Sequence, residues 1–147
     1  MFTFSLQALL DYRKSREEER QMELAAAIRA LAEETRKLEG IIADERGNLA
    51  ELVRMAGEAR PVSQVAALLI RGQQLGERRR SQEENLERAK KSMEECRDRV
   101  IEARQEREKL EKLKEKRIKA YIAEEARRET KMIDEAARSA AYTREKR

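Results

Sequence analysis

The sequence predicts an all-α protein: a long antiparallel two-stranded coiled-coil hairpin with an overhanging C-terminal helix. Of its 147 residues, 44% are charged and only 3% are aromatic, a composition typical of long helices and not of a compact core. The single proline, Pro61, separates two long segments that contain none. In both segments apolar residues recur at alternating intervals of three and four, the spacing of a coiled-coil seam.

One hairpin domain is expected over residues 1–147. Helix one is predicted at about 5–57, the turn at about 58–63 and helix two at about 64–145. Gly57 suits the end of the first helix, Pro61 interrupts helical backbone, and Ser63 suits the N-cap of the second helix. Glutamates four residues before a basic residue recur in helix two, and such pairs stabilise exposed helices.

The apolar ladders of the two helices match in register when the chain folds back at the turn. The first ladder comprises Leu24, Ile28, Leu31, Thr35, Leu38, Ile42, Glu45, Leu49, Leu52 and Ala56. The second comprises Val65, Leu68, Gly72, Leu75, Arg79, Gln82, Leu86, Ala89, Met93, Cys96, Val100, Ala103, Arg107 and Leu110. Opposed residues have numbers that sum to about 120, which favours an antiparallel hairpin over helices that pair with other chains.

Two parts of this arrangement are unusual. Helix two outruns helix one, so an apolar face from Ile118 to Ala141 is expected to have no partner within the chain. Polar residues or glycine also oppose apolar residues between about 35–49 and 72–86. Either the aliphatic stems of long side chains cover the seam there, or the segment bends and opens.

The composition excludes most chemistry. The chain has no histidine, and its one cysteine, Cys96, lies on the second ladder, where a buried thiol is expected. No glycine-rich phosphate loop or pocketed carboxylate pair is present, so we expect no enzyme activity, cofactor, catalytic residue or metal site.

Membrane insertion and nucleic-acid binding are not expected either. The longest apolar run, 65–70, is far too short to cross a bilayer. The net charge of +4 arises from 34 basic and 30 acidic residues, which are interspersed along the chain. A nucleic-acid-binding protein usually shows a clustered basic surface. No signal peptide is recognisable at the start, which indicates a cytoplasmic protein.

Both ends and the turn resemble the flagellar FliJ family. The N-terminal resemblance is carried by Phe2, Phe4, Leu6, Gln7, Leu9, Leu10, Asp11, Tyr12 and Arg13. The C-terminal resemblance is carried by residues 110–117 and by Tyr121, Glu124, Glu125, Arg128, Glu129, Lys131, Asp134, Glu135 and Ala137. The Ser63-Gln64 step at the turn is similar to that of the family.

The resemblance implies a component of the flagellar type III protein export apparatus, a central stalk that looks like the gamma subunit of rotary ATPases. The implied partners are the hexameric export ATPase, whose assembly and activity the stalk promotes, the export-gate membrane protein FlhA, and export chaperones. The implied location is cytoplasmic and peripheral to the inner membrane at the flagellar basal body. A stalk of a virulence type III secretion system and a generic coiled-coil scaffold or nucleic-acid-binding hairpin are the alternatives.

The resemblance also implies two binding surfaces. The ATPase-binding surface would comprise Phe2, Phe4, Leu6, Tyr12, Arg13, Ile118, Tyr121, Ile122, Arg127, Arg128, Lys131, Met132 and Ile133. The gate-binding surface would comprise Leu38, Ile42, Glu45, Leu49, Gly72, Gly76, Arg79 and Glu83.

Overall fold

The computed structural model describes residues 1–145, and in that range it consists of two long α-helices packed against each other as a hairpin. Helix α1 spans Gln7–Ala56 and helix α2 spans Val62–Glu145. No strand occurs within the described residues. The all-α hairpin fold predicted from the composition and the apolar spacing is therefore confirmed.

The helix ends are defined by short backbone hydrogen bonds. At the end of α1, the Gly57 and Glu58 N–H groups donate to carbonyls three residues back, at 3.4 and 3.1 Å. Helix α2 begins at Val62, and the Gln64 N–H donates to the Pro61 carbonyl at 3.0 Å. Ser63 therefore lies in the first turn, and its predicted N-cap role is wrong. Proline is tolerated at a helix start because its missing N–H would have no helical partner there.

The chain divides into two compact units, and each contains part of both helices. The terminal unit consists of Met1–Glu17 and Glu102–Arg147, and the turn unit consists of Glu18–Ile101. Each unit has its own small set of buried residues.

In the turn unit, the ladder predicted for α2 lines the seam with one exception. Leu75, Cys96 and Val100 are buried, and the other predicted members are at least half-buried apart from Arg79, which is exposed. Because Arg79 extends outward and forms ion pairs with carboxylates, its stem does not fill the seam.

The ladder predicted for α1 is wrong at three positions. Ile28 is 51% exposed and Leu49 is 61% exposed, and Ala56 is exposed as well. The residues before them, Ala27, Asn48 and Met55, are buried or half-buried instead. The seam contains a seven-residue repeat of Leu24, Leu31, Leu38, Glu45 and Leu52. In such a repeat, the residue three positions after each of these also lies in the seam. Ile28, Leu49 and Ala56, one position later, lie on a flank of the seam.

A polar contact fills the seam between Asn48 and α2. The Asn48 side chain is buried, and its Nδ2 donates to the Leu68 carbonyl at 3.1 Å. A Cβ atom added at Gly72 would lie 2.9 Å from the same Nδ2. Glycine at position 72 is therefore what allows the amide to occupy this layer, because any larger residue would displace it.

A second polar contact lies further along the same seam. Gln82 is buried, and its Nε2 donates to the Glu34 carbonyl oxygen at 3.0 Å and to Glu34 Oε2 at 2.5 Å. Lys37 also donates to the Glu34 carboxylate, at 2.9 Å. These two donors, Lys37 above all, hold the pKa of Glu34 below its ordinary value. Hydrogen bonds between α1 and α2 thus connect the helices in this region. The sequence had predicted either that aliphatic stems of long side chains cover the seam here or that the segment bends and opens.

The terminal unit combines a small apolar core with a buried carboxylate. Leu10 is 1% exposed, and Phe4 and Ala103 are also buried. The Glu17 carboxylate is buried beside two arginines, with the Arg104 Nε at 3.5 Å and a direct hydrogen bond from the Arg107 Nε. Glu17 raises the pKa of Arg107 chiefly through this hydrogen bond. A buried charge is stable only when it is paired in this way.

Leu31→Ala should lower the free energy of unfolding by about 2 kcal/mol, because it removes a half-buried seam side chain. Ile28→Ala should cost less than about 1 kcal/mol, because Ile28 is 51% exposed. Urea unfolding followed by circular dichroism measures both values. Equal losses would contradict the seam described for α1.

Gly72→Ala should lower the free energy of unfolding by about 1 kcal/mol, because the added methyl group displaces the Asn48 amide from its hydrogen bond. Gly47→Ala should raise it by up to about 1 kcal/mol, because a Cβ there meets nothing within 4 Å and alanine favours the helix. In an Asn48→Ala background, Gly72→Ala should become stabilising. A loss of stability that persists in that background would show that another contact excludes the methyl group.

Candidate partner-binding surface

The C-terminal segment of α2, residues 122–144, is exposed along nearly its whole length. Its large apolar side chains include Ile122, Met132, Ile133 and Tyr142, each at least 60% exposed. On a helix of 3.6 residues per turn, one side of the segment carries Ile122, Ala126, Ile133, Ala137 and Ala140. A helix stripe of this kind, open to water, is a surface suited to binding another protein.

The exposed segment begins later than the sequence indicates. The ring of Tyr121 lies 5.6 Å from the ring of Phe2, tilted by 56°, and the Met1 amino group lies 3.4 Å from the Tyr121 hydroxyl. Ile118 and Tyr121 are half-buried. The prediction that the whole face from Ile118 onward lacks an intrachain partner is therefore wrong in its first turn. Non-helical residues cover more length than helical ones, so the residues before α1 reach further along α2 than the register suggested.

Phe4 packs within the terminal unit. Its ring is 8% exposed and lies under two cations, with the Arg117 Cζ at 5.6 Å and the Lys114 Nζ at 6.0 Å from the ring centroid. The Arg117 Nη1 also donates to Ser5 Oγ at 2.9 Å. Phe4, together with half-buried Leu6, thus holds the N-terminal residues on α2 and presents little surface to a partner.

Tyr12 and Arg13 lie in the second turn of α1. Tyr12 is 57% exposed, and the Arg13 guanidinium carbon lies 5.9 Å from its ring centroid. Arg13 also forms an ion pair with Glu106 of α2. Tyr12 is therefore accessible to a partner, and Arg13 fixes the position of its ring.

The basic residues of the C-terminal segment differ in their pairing. Arg128 forms ion pairs on its own helix with Glu124 and Glu125, each at 3.4 Å. Arg127 and Lys131 form no ion pair within 4.0 Å among residues 1–145, and with Ala126 and Thr130 they line a shallow groove. These two cations are therefore available to an acidic partner.

The residues implied for gate binding all lie in the turn unit, where an ion-pair network joins three of them. The Arg79 guanidinium donates to Glu83 Oε1 at 3.0 Å and to Glu45 Oε2 at 3.1 Å. Hydrogen bonds to Glu83 and Glu45, in that order, raise the pKa of Arg79. Leu49 is exposed, and the half-buried members of the set are Leu38, Ile42, Glu45, Gly72 and Gly76.

Sequence reasoning did not identify the buried polar residues Glu17, Asn48 and Gln82 as hydrogen-bonding centres. The register treated Glu17 and Gln82 as polar mismatches in the seam, and it placed Leu49 in the seam instead of Asn48. Within residues 1–145, no group of three His, Cys, Asp or Glu side chains is placed to hold a metal ion. Neither helix, over the same residues, has a stretch long and apolar enough to cross a bilayer.

These observations define the class of protein: a coiled-coil hairpin whose candidate functional site is an exposed helix surface. A family model described as "Flagellar FliJ protein" matches residues 2–146, nearly the whole chain. The protein therefore belongs to the FliJ family, the stalk proteins of type III protein export.

A solved structure supports the fold independently. A YscO homolog, CT670 from Chlamydia trachomatis, superposes with a TM-score of 0.72 at 21% sequence identity. The match covers 100% of this chain and 99% of that chain. At this level of identity the likeness shows a common fold. A comparison with curated proteins found no match.

Phe4→Ala should destabilise the terminal unit by about 3 kcal/mol, because it removes a buried ring and the contacts with Lys114 and Arg117. Tyr12→Ala, at a 57% exposed position, should cost no more than about 0.5 kcal/mol. Amide hydrogen exchange over residues 105–118 measures the difference. Slow exchange retained in the Phe4 variant would show that the N-terminal residues do not stabilise α2.

Proposed function

We propose that this protein is the central stalk of the flagellar type III export apparatus. It binds the hexameric export ATPase, promotes the assembly and activity of that ring, and links it to the export-gate membrane protein FlhA and to export chaperones. It acts in the cytoplasm, peripheral to the inner membrane at the flagellar basal body. Membership of the FliJ family supports the export role, and the exposed C-terminal segment of α2 is the observation that carries the ATPase contact.

The exposed stripe supplies a driving force for inserting the segment into a ring. Ile122 and Ile133 leave more than half of their surface in water, and burial of apolar surface contributes about 25 cal/mol per Å². A central helix surrounded by six subunits contacts the assembled ring more extensively than any single subunit. Because a ligand stabilises the state that it binds best, such a stalk favours the hexamer over free subunits. No catalytic group of its own is needed for this effect.

The proposed ATPase-binding end comprises α2 from Ile118 to Ile133 and the exposed N-terminal side chains, Tyr12 above all. Phe2 and Tyr121 contribute their outer edges, because each is half-buried against the other. Arg127 and Lys131 have no ion-pair partner within residues 1–145, so they are the cations proposed to meet acidic groups of the ring. Phe4 acts indirectly, by holding the N-terminal residues on α2.

The proposed gate-binding surface lies in the turn unit. Leu49 supplies its exposed apolar side chain, and the Glu45–Arg79–Glu83 network supplies its charges. Because Arg79 already has two carboxylate partners, it contributes to recognition by positioning Glu45 and Glu83 as acceptors.

The equivalent stalk of a virulence type III secretion system is the second candidate. The family match to flagellar FliJ favours the flagellar role. Flagellar export genes beside the gene for this protein would support that role, and neighbouring virulence secretion genes would support the other.

Deletion of residues 123–147 should abolish stimulation of the export ATPase and hexamer formation while leaving the hairpin folded. The deletion begins after Ile122 so that the contact between Phe2 and Tyr121 is kept. The measurement is ATPase rate against added protein, with size-exclusion chromatography for the hexamer and circular dichroism for the fold.

A matched pair of substitutions tests the stripe within the intact chain. Ile133→Ser changes the stripe and should weaken stimulation about tenfold, the effect of losing ~1.4 kcal/mol of binding. Tyr142→Ser changes a side chain that is 62% exposed but lies nine residues beyond Ile133, outside the proposed ATPase-binding end, and should leave stimulation unchanged. If the shortened chain stimulates the ATPase as well as the intact protein, the C-terminal segment is not the ring contact.

A further inference from the structure

One flank of the turn unit carries a groove that the proposed ATPase and gate contacts do not use. It runs beside the seam, between α1 at residues 37–51 and α2 at residues 68–82. The residues that matter for its chemistry are Gly40, Asp44, Gly47, Asn48, Arg71 and Arg78. In the heptad repeat, Ile42 and Leu49 lie on the other flank of the hairpin.

The α1 wall of the groove is open at two glycines. Gly40 and Gly47 are seven residues apart, so they lie on the same side of the helix. A Cβ atom at either position meets nothing within 4 Å, in contrast to Gly72, where it would meet Asn48. Packing of the hairpin therefore does not require these glycines, although each weakens the helix. What they do allow is the close approach of another backbone to α1.

Asn48, which also lines the groove, has an unsatisfied acceptor. Its side chain is 7% exposed, and its Nδ2 donates to the Leu68 carbonyl. Its Oδ1 is buried and has no hydrogen-bond partner among the described residues. Buried polar atoms almost always have a partner, which is either water or another polar group, so this oxygen is an acceptor that a bound chain can satisfy.

The α2 wall is basic. Arg71 and Arg78 are seven residues apart and face the groove. Neither forms an ion pair within 4.0 Å among residues 1–145, whereas Arg79, between them in sequence, has two. On the opposite wall, Glu51 is paired with Arg54 and Lys37 with Glu34, and Asp44 has no ion pair within 4.0 Å among residues 1–145. The two arginines therefore leave the groove with a net positive charge. Two unpaired guanidinium groups at heptad spacing complement carboxylates at the same spacing on a second helix.

The geometry points to this groove as the docking site for an acidic amphipathic α-helix of a partner protein. Small side chains of that helix lie over Gly40 and Gly47, and carboxylates seven residues apart pair with Arg71 and Arg78. On the flank of the partner helix opposite its carboxylates, a side-chain amide or another N–H group donates a hydrogen bond to Asn48 Oδ1. The inference is independent of the proposed function, because none of these residues belongs to the ATPase-binding or gate-binding surface.

The test uses the full-length chain and a fluorescent 21-residue helical peptide. The peptide carries alanine on the face toward the glycines, glutamate every seventh residue on one flank and glutamine on the other. A control peptide has lysine in place of each glutamate. Fluorescence anisotropy should show at least tenfold tighter binding of the glutamate peptide. The double variant Arg71→Glu/Arg78→Glu should reverse that preference.

Filling the groove provides the second comparison. The double variant Gly40→Leu/Gly47→Leu should bind the glutamate peptide at least tenfold more weakly while its melting temperature does not fall. The control is Ala32→Leu, at an exposed position of α1 outside the groove; its affinity should change less than twofold. The proposal is overturned if the glutamate peptide binds no better than the lysine peptide, or if the filled groove binds normally. It is equally overturned if sedimentation shows a dimer that the filled groove dissociates, because a second copy then covers this flank.

Discussion

Each unit is stabilised by a narrow antiparallel seam, and this seam is nearly the only place where the chain can bury apolar surface. With 44% charged residues and 3% aromatic residues, no second layer is available. In each unit the predicted seam residues of α2 are buried or half-buried, except Arg79 of the turn unit, which is exposed. Because residues 1–144 contain no other core, the register of the seam decides which side chains face water and which surfaces remain for partners.

Buried polar residues make that register specific. The Asn48 amide fits only where a glycine faces it and where the Leu68 carbonyl can accept its N–H. The Glu17 carboxylate needs Arg107 in reach, and the Gln82 amide needs Glu34. A shift of one helix along the other would leave these groups buried without partners, which costs far more than the apolar contacts it would exchange. Polar seam residues thus weaken the hairpin slightly and exclude alternative pairings, as a buried asparagine does in other coiled coils.

The sequence was sufficient to predict the fold and the seam residues of α2, because apolar residues recur there at the heptad positions. It was misleading on α1, where Ile28 and Leu49 are larger than their neighbours Ala27 and Asn48 but lie on a flank. Hydrophobicity alone could not show which of two adjacent residues lies in the seam. The division into two units falls inside both helices, at residues 17–18 and 101–102, with no proline or glycine to mark it.

For the candidate surface, the register predicted an exposed C-terminal helix but not where it begins. Phe2 lies outside α1, and helical spacing cannot place a non-helical residue. The groove beside Gly40 and Gly47 depends on what surrounds each missing Cβ atom, which only three-dimensional coordinates show.

The length of exposed helix at the end of α2 has a consequence for kinetics. Residues 126–144 have no seam to hold them, so their helix rests on its own backbone hydrogen bonds and on pairs such as Arg128 with Glu124. Helices of this length interconvert with coil in about 0.1–1 μs when nothing else orders them. When a partner binds this segment, part of the binding free energy is used to order the helix. The affinity gained per unit of contact area is therefore lower. Such a segment engages and releases its partner readily.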